Sequence, residues 1–362
     1  MSAGDPSWLS SERSERIETT HSLTLWVTPV SNLAGVARHV LDVARAGIPG
    51  WRLEVAAPEG PLLEQLRGMG VTVHPLPLDG NPAKAVRDLR TLIQELEPQI
   101  VHSHLAKADL LLAAAGEGLP TKRISSEHGI AADARLYNKN AAVAAVKQQL
   151  HRIRCNRFDH LIAVSASTKE QMLKAWSPKT PITVVLNGVD RPDGVERQAG
   201  KRYLSLSRLS HEKNIAAIVE AFAELDAEAT LTIAGDGPDK AEIEEQIRQL
   251  GLTERVTLPG FMNADEALAS HDVLVQLSKW ENASYSLLDA VVHRLGVVAT
   301  PVGGNPEILP ERCLVEAENT YEVARLMREQ AQLDARPALP EDWPTVAEMT
   351  KQIAAIYDEV WR

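Results

Sequence analysis

Strand-like and helix-like segments alternate along nearly the whole chain, and this alternation limits the possible folds more than any other feature. Short apolar runs such as residues 23–27, 100–104 and 230–234 are separated by longer stretches with helical periodicity. A strand that returns through a helix to a further strand normally pairs with it in parallel. The pattern therefore predicts an α/β protein with doubly wound parallel sheets.

The alternation is interrupted once, and the interruption predicts two Rossmann-like domains. The first series of strands ends near residues 187–190, a polar stretch follows at 191–200, and strands resume at Tyr203. We expect a first domain over residues 21–190 and a second over 191–342, whose last strand is residues 314–315. The polar start, 1–20, predicts a disordered leader, and residues 343–362 form an amphipathic terminal helix.

Composition narrows the class of function. The chain has 362 residues, 44% of them hydrophobic and 24% charged, which is typical of a packed soluble protein. Residues 1–190 carry 21 Lys and Arg against 19 Asp and Glu, which leaves 17 against 30 for the remainder. An acidic second half argues against a nucleic-acid partner. Cys155 and Cys313 lack ligand-like spacing, which fits a reducing, cytoplasmic location with neither disulfide nor zinc site.

Residues 278–307 carry the densest set of candidate site residues. Glu281 and Asp289 lie eight residues apart, separated by the polar turn 282–284 and the start of a helical run at Tyr285. A strand precedes them, so both carboxylates are expected near the carboxyl edge of a sheet, where such folds bind ligands. The start of the helix offers free N–H groups to an anion. Taken alone, the two acids also fit a solvated loop and an ordinary helix.

A second set of residues points to a diphosphate. Arg208 and Lys213 follow the first strand of the second domain and precede a helix that Asn214 is expected to cap. Two cations at such a turn suit a diphosphate, although surface cations are also common. Gly235-Asp236-Gly237-Pro238 follows the next strand and predicts a tight structural turn.

In order and spacing, these segments resemble the retaining nucleotide-sugar glycosyltransferases of family 4 (group 1), which have the GT-B architecture. The resemblance covers most of the chain from Ser22 and is strongest over 187–307. It implies two domains that face a central cleft and a final helix that crosses back to the first domain. It also implies that the first acid of the Glu-x7-Glu pattern, Glu281, binds the donor sugar, and that Asp289 holds the ribose.

The resemblance assigns roles to further residues. Arg208 and Lys213 would neutralise the leaving diphosphate, and His128, in the sequence Glu127-His128-Gly129, would face the reacting sugar. The donor-binding set it implies is Gly35, Arg208, Lys213, Gly260, Phe261, Met262, Glu281, Asn282, Ala283, Ser284, Tyr285, Ser286 and Asp289. The proposed catalytic set is Glu281, His128, Arg208 and Lys213. His102 or His104 could also line the cleft.

The sequence departs from the family pattern at four positions: Ala34 and Arg294 replace usual glycines, Asp289 replaces Glu, and Gly296 replaces Pro. Gly303, Gly304 and Glu307 keep the expected Gly-Gly-x-x-Glu turn. Ala34 places a methyl group where the backbone is expected to approach the donor diphosphate or the acceptor. For Arg294 and Gly296 we expect altered packing rather than lost chemistry.

The function expected from the resemblance is retaining, metal-independent transfer of a sugar from a nucleotide diphosphate, UDP or GDP, to an acceptor hydroxyl. No cofactor is expected beyond this co-substrate. The acceptor would be a glycan or a lipid-linked molecule of bacterial polysaccharide, glycolipid or cell-envelope synthesis. The basic segment 147–158, which interleaves Leu150 and Ile153, predicts either peripheral contact with the inner membrane face or a solvated helix face.

Other functions stay open from the sequence. A nucleotide-sugar 2-epimerase shares the architecture but would need further acid and base groups in the cleft. A catalytically degenerate homologue that binds nucleotide as a partner subunit fits the four departures. A nicotinamide-dependent dehydrogenase is disfavoured, because no Gly-x-Gly-x-x-Gly follows a strand.

Overall fold

The protein, seen in a computed structural model that describes residues 21–129, 141–192, 194 and 196–362, contains two parallel sheets. The first sheet has seven strands in the order β3-β2-β1-β4-β5-β6-β7. In chain order its strands are β1 (Ser22–Val27), β2 (Trp51–Ala57), β3 (Thr72–Pro75), β4 (Ile100–His104), β5 (Lys122–Glu127), β6 (His160–Ala163) and β7 (Ile182–Val184).

The second sheet has five parallel strands in the order β10-β9-β8-β11-β12. They are β8 (Arg202–Leu206), β9 (Thr230–Ala234), β10 (Val256–Gly260), β11 (Val273–Gln276) and β12 (Gly296–Ala299). In each sheet the strand order reverses at one place, between β1 and β4 and between β8 and β11. Ligands of open parallel sheets bind at such switch points, beyond the carboxyl ends of the strands.

Helices connect the strands and cover the sheets. In the first half they are α1 (Gly35–Ala46), α2 (Pro61–Gly68), α3 (Pro82–Leu96), α4 (Ala106–Ala115), α5 (Ala141–Cys155) and α6 (Ala166–Trp176). The second half has α7 (Ile215–Ala223), α8 (Lys240–Gln249), α9 (Ala264–Ser270), α10 (Tyr285–Val292), α11 (Asn305–Ile308) and α12 (Thr320–Gln330). Short 3-10 helices span His211–Lys213 and Glu311–Cys313.

The terminal helix, α13 (Val346–Trp361), packs on the first domain. It begins with a capping box in which Thr345 and Glu348 exchange hydrogen bonds. Its buried face, including Met349, Ile353 and Tyr357, joins the apolar core of the first sheet. There the indole of Trp26 donates to the Tyr357 hydroxyl at 2.7 Å. The prediction of two Rossmann-like sheets with a helix crossing back is confirmed.

Two details of the sequence-based prediction are wrong. Residues 314–315 do not form a strand, because Leu314 makes only an isolated bridge to Ala299. Asn214 stands at the start of α7, but its backbone is left-handed (φ 52°) and its side chain makes no capping hydrogen bond. The predicted leader, residues 1–20, lies outside the described residues.

Candidate active site

The carboxyl edges of both sheets contribute to one site, because segments that follow the strands of one sheet contact segments that follow the strands of the other. Thr168, near the start of α6, donates its hydroxyl to the Asn282 side chain at 3.2 Å. Glu307 accepts the N–H groups of Ala166 and Ser167, each at 2.9 Å. These contacts place the loop between β11 and α10 directly against the first domain.

Glu281 lies in that loop and is almost fully buried. One carboxylate oxygen, Oε1, accepts a hydrogen bond from the Ser278 hydroxyl at 2.8 Å and forms an ion pair with the ammonium of Lys213. Lys213 comes from the turn after β8, the strand that neighbours β11. The structure therefore brings together a carboxylate and a cation that are 68 residues apart in the sequence.

The glycine pair after β12 supports this loop from behind. A Cβ atom at Gly303 would lie 1.6 Å from the carbonyl oxygen of Glu281, and one at Gly304 would lie 2.0 Å from that of Asn282. Gly303 also has a φ of 57°, which disfavours any side chain. The predicted Gly-Gly-x-x-Glu turn thus fixes the Glu281 backbone, while its Glu307 caps a helix of the first domain.

Arg208 and Lys213 lie in the turn after β8 as predicted, but their side chains differ in exposure. The Arg208 side chain is 67% exposed and pairs with Glu212, whereas that of Lys213 is 22% exposed. Gly235 lies beneath this turn, because a Cβ there would be 1.9 Å from the Ser207 carbonyl oxygen. This close approach gives the Gly235 turn a structural role: it allows the cationic turn to pack on β9.

Asp289 is buried in α10 and is held by a side chain that the sequence did not suggest. The Arg38 guanidinium, from α1, donates to both carboxylate oxygens, at 3.2 and 3.3 Å. Burial raises the pKa of Asp289 to about 6, and nearby Asp42 also raises it, while Arg38 acts in the opposite direction. The predicted ribose-binding acid therefore joins the two domains in this structure.

Tyr285, the first residue of α10, forms a second bridge to α1. Its hydroxyl lies 3.2 Å from Nδ1 of His39, and the Arg38 guanidinium lies over its ring at 5.5 Å from the centroid. The other predicted donor residues of this segment are mostly engaged in holding its shape. Ser284 caps α10 at the N–H of Leu287, Ser286 donates to the Leu206 carbonyl, and the carbonyl oxygen of Ala283 accepts from Asn187.

His128 follows β5, as the sequence predicted, and belongs to a group of histidines. Its Nε2 lies 2.9 Å from Nδ1 of His104 at the end of β4. Burial and the neighbouring rings hold the pKa of His104 and that of His128 well below their usual range. His102 has a structural role instead, since its ring nitrogens contact the Tyr357 hydroxyl and Ser126 at 2.6 and 2.9 Å.

The remaining predicted donor residues sit at loops and element ends. Gly260 ends β10 with a φ of 82°, Phe261 is 76% exposed, and Met262 packs on the apolar core of the second domain. Gly35 begins α1 and is exposed, with no atom within 4 Å of a Cβ built there. The structure thus leaves open space at Gly35, beside the departure at Ala34.

The basic segment 147–158 is only partly directed outward. Arg154 is buried, where it forms ion pairs with Asp109 and Glu127 and lies 4.8 Å from the Trp176 ring centroid. Arg157 pairs with Glu117 at the surface. The side chain of Lys147 lies outside the described ones. The basic segment therefore offers fewer surface cations than its sequence suggests, because Arg154 is buried in ion pairs with Asp109 and Glu127.

Sequence reasoning missed Arg38, His39, Thr168 and the capping role of Glu307. Each acts across the two domains, and no local pattern records such a pairing. The available signal was position: Arg38 and His39 lie in the first turns after the loop that follows β1, on the ligand-binding edge of the sheet.

No helix in the part of the chain that the structure describes is long and apolar enough to cross a membrane.

Known proteins resemble the chain in sequence and in fold. It is 26% identical over 251 residues to the phosphatidylinositol N-acetylglucosaminyltransferase GPI3 subunit of Saccharomyces cerevisiae, covering 64% of this chain and 54% of that one. It is 29% identical over 175 residues to the N-acetyl-alpha-D-glucosaminyl L-malate synthase of Bacillus anthracis, covering 44% and 46%. The chain spans about half the length of these curated relatives.

Among solved structures, the Anabaena HepE complex with UDP and glucose superposes with a TM-score of 0.77 at 20% identity, covering 93% of this chain and all of that one. Residues 33–191 match the family described as Glycosyltransferase Family 4, and residues 189–332 match Glycosyl transferases group 1. The two matches overlap at residues 189–191 and together cover residues 33–332, which include every strand of the two sheets except β1. The chain belongs to the group 1, family 4 glycosyltransferases.

Proposed function

We propose that this glycosyltransferase moves a sugar from a UDP-sugar to an acceptor hydroxyl with retention of configuration and without a catalytic metal ion. The observation that carries the proposal is the meeting of Lys213 and Glu281 at the start of α10. A sugar-binding carboxylate and a phosphate-binding cation must lie within one sugar–phosphate linkage of each other. These two side chains are already in contact.

The departing diphosphate would be stabilised by fixed positive charge. Lys213 and Arg208 supply two cations, and the N–H groups of residues 284–286 supply the positive end of the α10 dipole. Arg208 is exposed and paired only at the surface, so it can turn toward the diphosphate. These groups would do the work that a metal ion does in other transferases.

The sugar and ribose would be held by the two acids. Glu281, fixed from behind by Gly303, would accept from sugar hydroxyls and orient the anomeric carbon. Asp289 would take the ribose hydroxyls, in competition with Arg38. His128, on the opposite wall, would face the reacting sugar, and burial keeps its imidazole neutral at pH 7.

Two observations from similar proteins favour UDP. HepE was solved with UDP and glucose, and its fold covers nearly all of this chain. The names of the yeast and Bacillus relatives both refer to an N-acetylglucosaminyl group. We therefore propose UDP-glucose and UDP-N-acetylglucosamine as the first donors to test.

The test is the release of sugar from these donors to water in the presence of EDTA, followed by proton NMR. Retention predicts that the α-anomer appears first, before mutarotation, and that EDTA does not abolish release. Early appearance of the β-anomer would contradict retention. Tight UDP binding with neither hydrolysis nor transfer would favour a nucleotide-binding homologue without turnover.

For the acceptor, we propose a lipid-linked molecule met at the cytoplasmic face of a membrane. On α5, Val146, Leu150 and Ile153 are 61%, 45% and 48% exposed and recur at positions i, i+4 and i+7, which is one helix face. An apolar face beside cations suits an anionic lipid surface. Leu150→Glu should reduce co-sedimentation with anionic vesicles, whereas Leu110→Glu on α4 should not; equal sedimentation of both variants would contradict the proposal.

A further inference from the structure

The histidines on the first-domain wall form a cluster whose chemistry the transferase mechanism does not fully use. His39 comes from α1, His104 ends β4, and His128 follows β5. Their ring centroids are 4.9 to 5.7 Å apart. One nitrogen from each ring can be chosen so that all three lie within 4.8 Å of one another.

Hydrogen bonding within the described residues leaves the cluster incompletely satisfied. Nε2 of His104 is buried and has no hydrogen-bond partner there, and the same is true of Nε2 of His39. The Asn187 side chain interacts with His39, and Oδ1 of Asn187 also lacks a hydrogen-bond partner there. A buried polar atom without a partner is destabilising, so the cluster gains if a ligand completes it.

We infer that His39, His104 and His128 form a binding site for a divalent transition-metal ion, with Zn²⁺ the best fit. Three imidazoles suit Zn²⁺ and other divalent transition-metal ions, for which Co²⁺ serves as a coloured probe, whereas Mg²⁺ and Ca²⁺ take oxygen ligands. A three-histidine site leaves a fourth position open to water or a further ligand.

The spacing of the ring nitrogens suits a metal ion. Zinc–nitrogen bonds of about 2.1 Å in a tetrahedral site place the nitrogens roughly 3.4 Å apart. Small side-chain movements from the present spacing, within 4.8 Å, would reach this geometry, and Nδ1 of His104 and Nε2 of His128, now 2.9 Å apart, would exchange their mutual contact for the ion if both bind it. The Tyr285 hydroxyl, on Nδ1 of His39, would orient that ligand from the second domain.

The site shares His128 with the proposed donor site but does not involve Lys213 or Glu281, and its test needs no donor. Untagged protein, freed of metal with a chelator, is titrated with Co²⁺ while visible ligand-field absorption is followed. We expect the protein to bind one Co²⁺ per chain, with the intense ligand-field absorption that indicates a low coordination number. One equivalent of Zn²⁺ should displace the Co²⁺, and Mg²⁺ should not compete with it.

Variants locate the site. His39→Gln and His104→Gln should each weaken Co²⁺ binding at least about tenfold, since even outer partners of metal ligands have effects of that size. His160→Gln is the matched control, because His160 is also buried in the first domain but bonds Thr183 outside the cluster. If His104→Gln does not fold, His39→Gln and His128→Gln carry the test.

Absence of stoichiometric Co²⁺ binding, or binding that survives both His39→Gln and His128→Gln, would overturn the inference. The cluster would then be a packed group of neutral rings beside Trp26, whose ring stacks on that of His39 at 5.6 Å.

Discussion

Replacing Lys213 with Met tests whether the cationic turn after β8 binds the diphosphate. The change keeps the length of the apolar stem and removes the ammonium that pairs with Glu281. A hydrogen bond to a charged group contributes about 1.5–3 kcal/mol. The dissociation constant for UDP should therefore rise roughly 10- to 150-fold. Lys213 is mostly buried, so salt should screen this contribution less than that of a surface cation.

The assay is isothermal titration calorimetry with UDP at two salt concentrations. Lys201→Met is the matched control, because it makes the same change in net charge at the opposite end of β8, where Lys201 pairs with Asp226 and Glu228. Its UDP affinity should equal that of the wild type. Equal affinities for the Lys213 and Lys201 variants would refute the assignment of Lys213 to the donor site.

Three further predictions concern the acids and the glycine support. Glu281→Gln should bind UDP at least as tightly as the wild type, because Lys213 is released from its pair, but should lose sugar transfer; retained turnover would remove Glu281 from its role. Gly303→Ala should cost about 2 kcal/mol or more of unfolding free energy in urea, because its Cβ would lie 1.6 Å from the Glu281 carbonyl oxygen, whereas Gly68→Ala, with open space around it, should not. Burial raises the pKa of Asp289 to about 6, so the folded protein keeps this proton at pH values where the unfolded chain has lost it. The free energy of unfolding of the wild type, relative to Asp289→Asn, should therefore fall by roughly 2–3 kcal/mol as pH rises from about 4 to about 6. Parallel pH profiles of the two proteins would show that the carboxyl titrates normally.

The sequence predicted the fold well because its signals are local. The apolar runs 100–104 and 230–234 form strands β4 and β9 with the same bounds, and α10 begins at Tyr285 as predicted. The strand predicted at residues 314–315 was wrong because an apolar run of two residues is too short to distinguish a strand from an isolated bridge. The capping prediction for Asn214 was wrong because its backbone is left-handed and its side chain makes no hydrogen bond to the helix start, which the sequence does not reveal.

The site was predicted in its parts but not in its connections. Glu281 and Lys213 were identified from their positions after strands and His128 from the family resemblance, and the structure brings the first two into contact. The pairing of Arg38 with Asp289 joins residues 251 positions apart, and such long-range pairs leave no periodic signal. The glycine pair at 303–304 was recognised as a pattern, but its reason, close contact with the Glu281 loop, appears only in three dimensions.

Departures from the family pattern also become interpretable. Arg294 has a left-handed backbone with a φ of 58°, which explains why glycine is usual there. Gly296 is required in this chain, since a Cβ would lie 2.0 Å from the Gln330 carbonyl oxygen. Both lie near the start of β12 and away from the Glu281–Lys213 pair, so the expectation of altered packing rather than lost chemistry stays a prediction.

The most direct test of the donor site is thermal unfolding of the wild type and Lys213→Met with UDP, GDP, ADP and dTDP. At about a hundred times its dissociation constant, a true ligand adds about 2.7 kcal/mol of stability. We expect UDP alone to raise the midpoint of the wild type, and the shift to shrink in the variant. No shift with any nucleotide, or equal shifts in both proteins, would contradict a UDP-sugar site at Lys213 and Glu281.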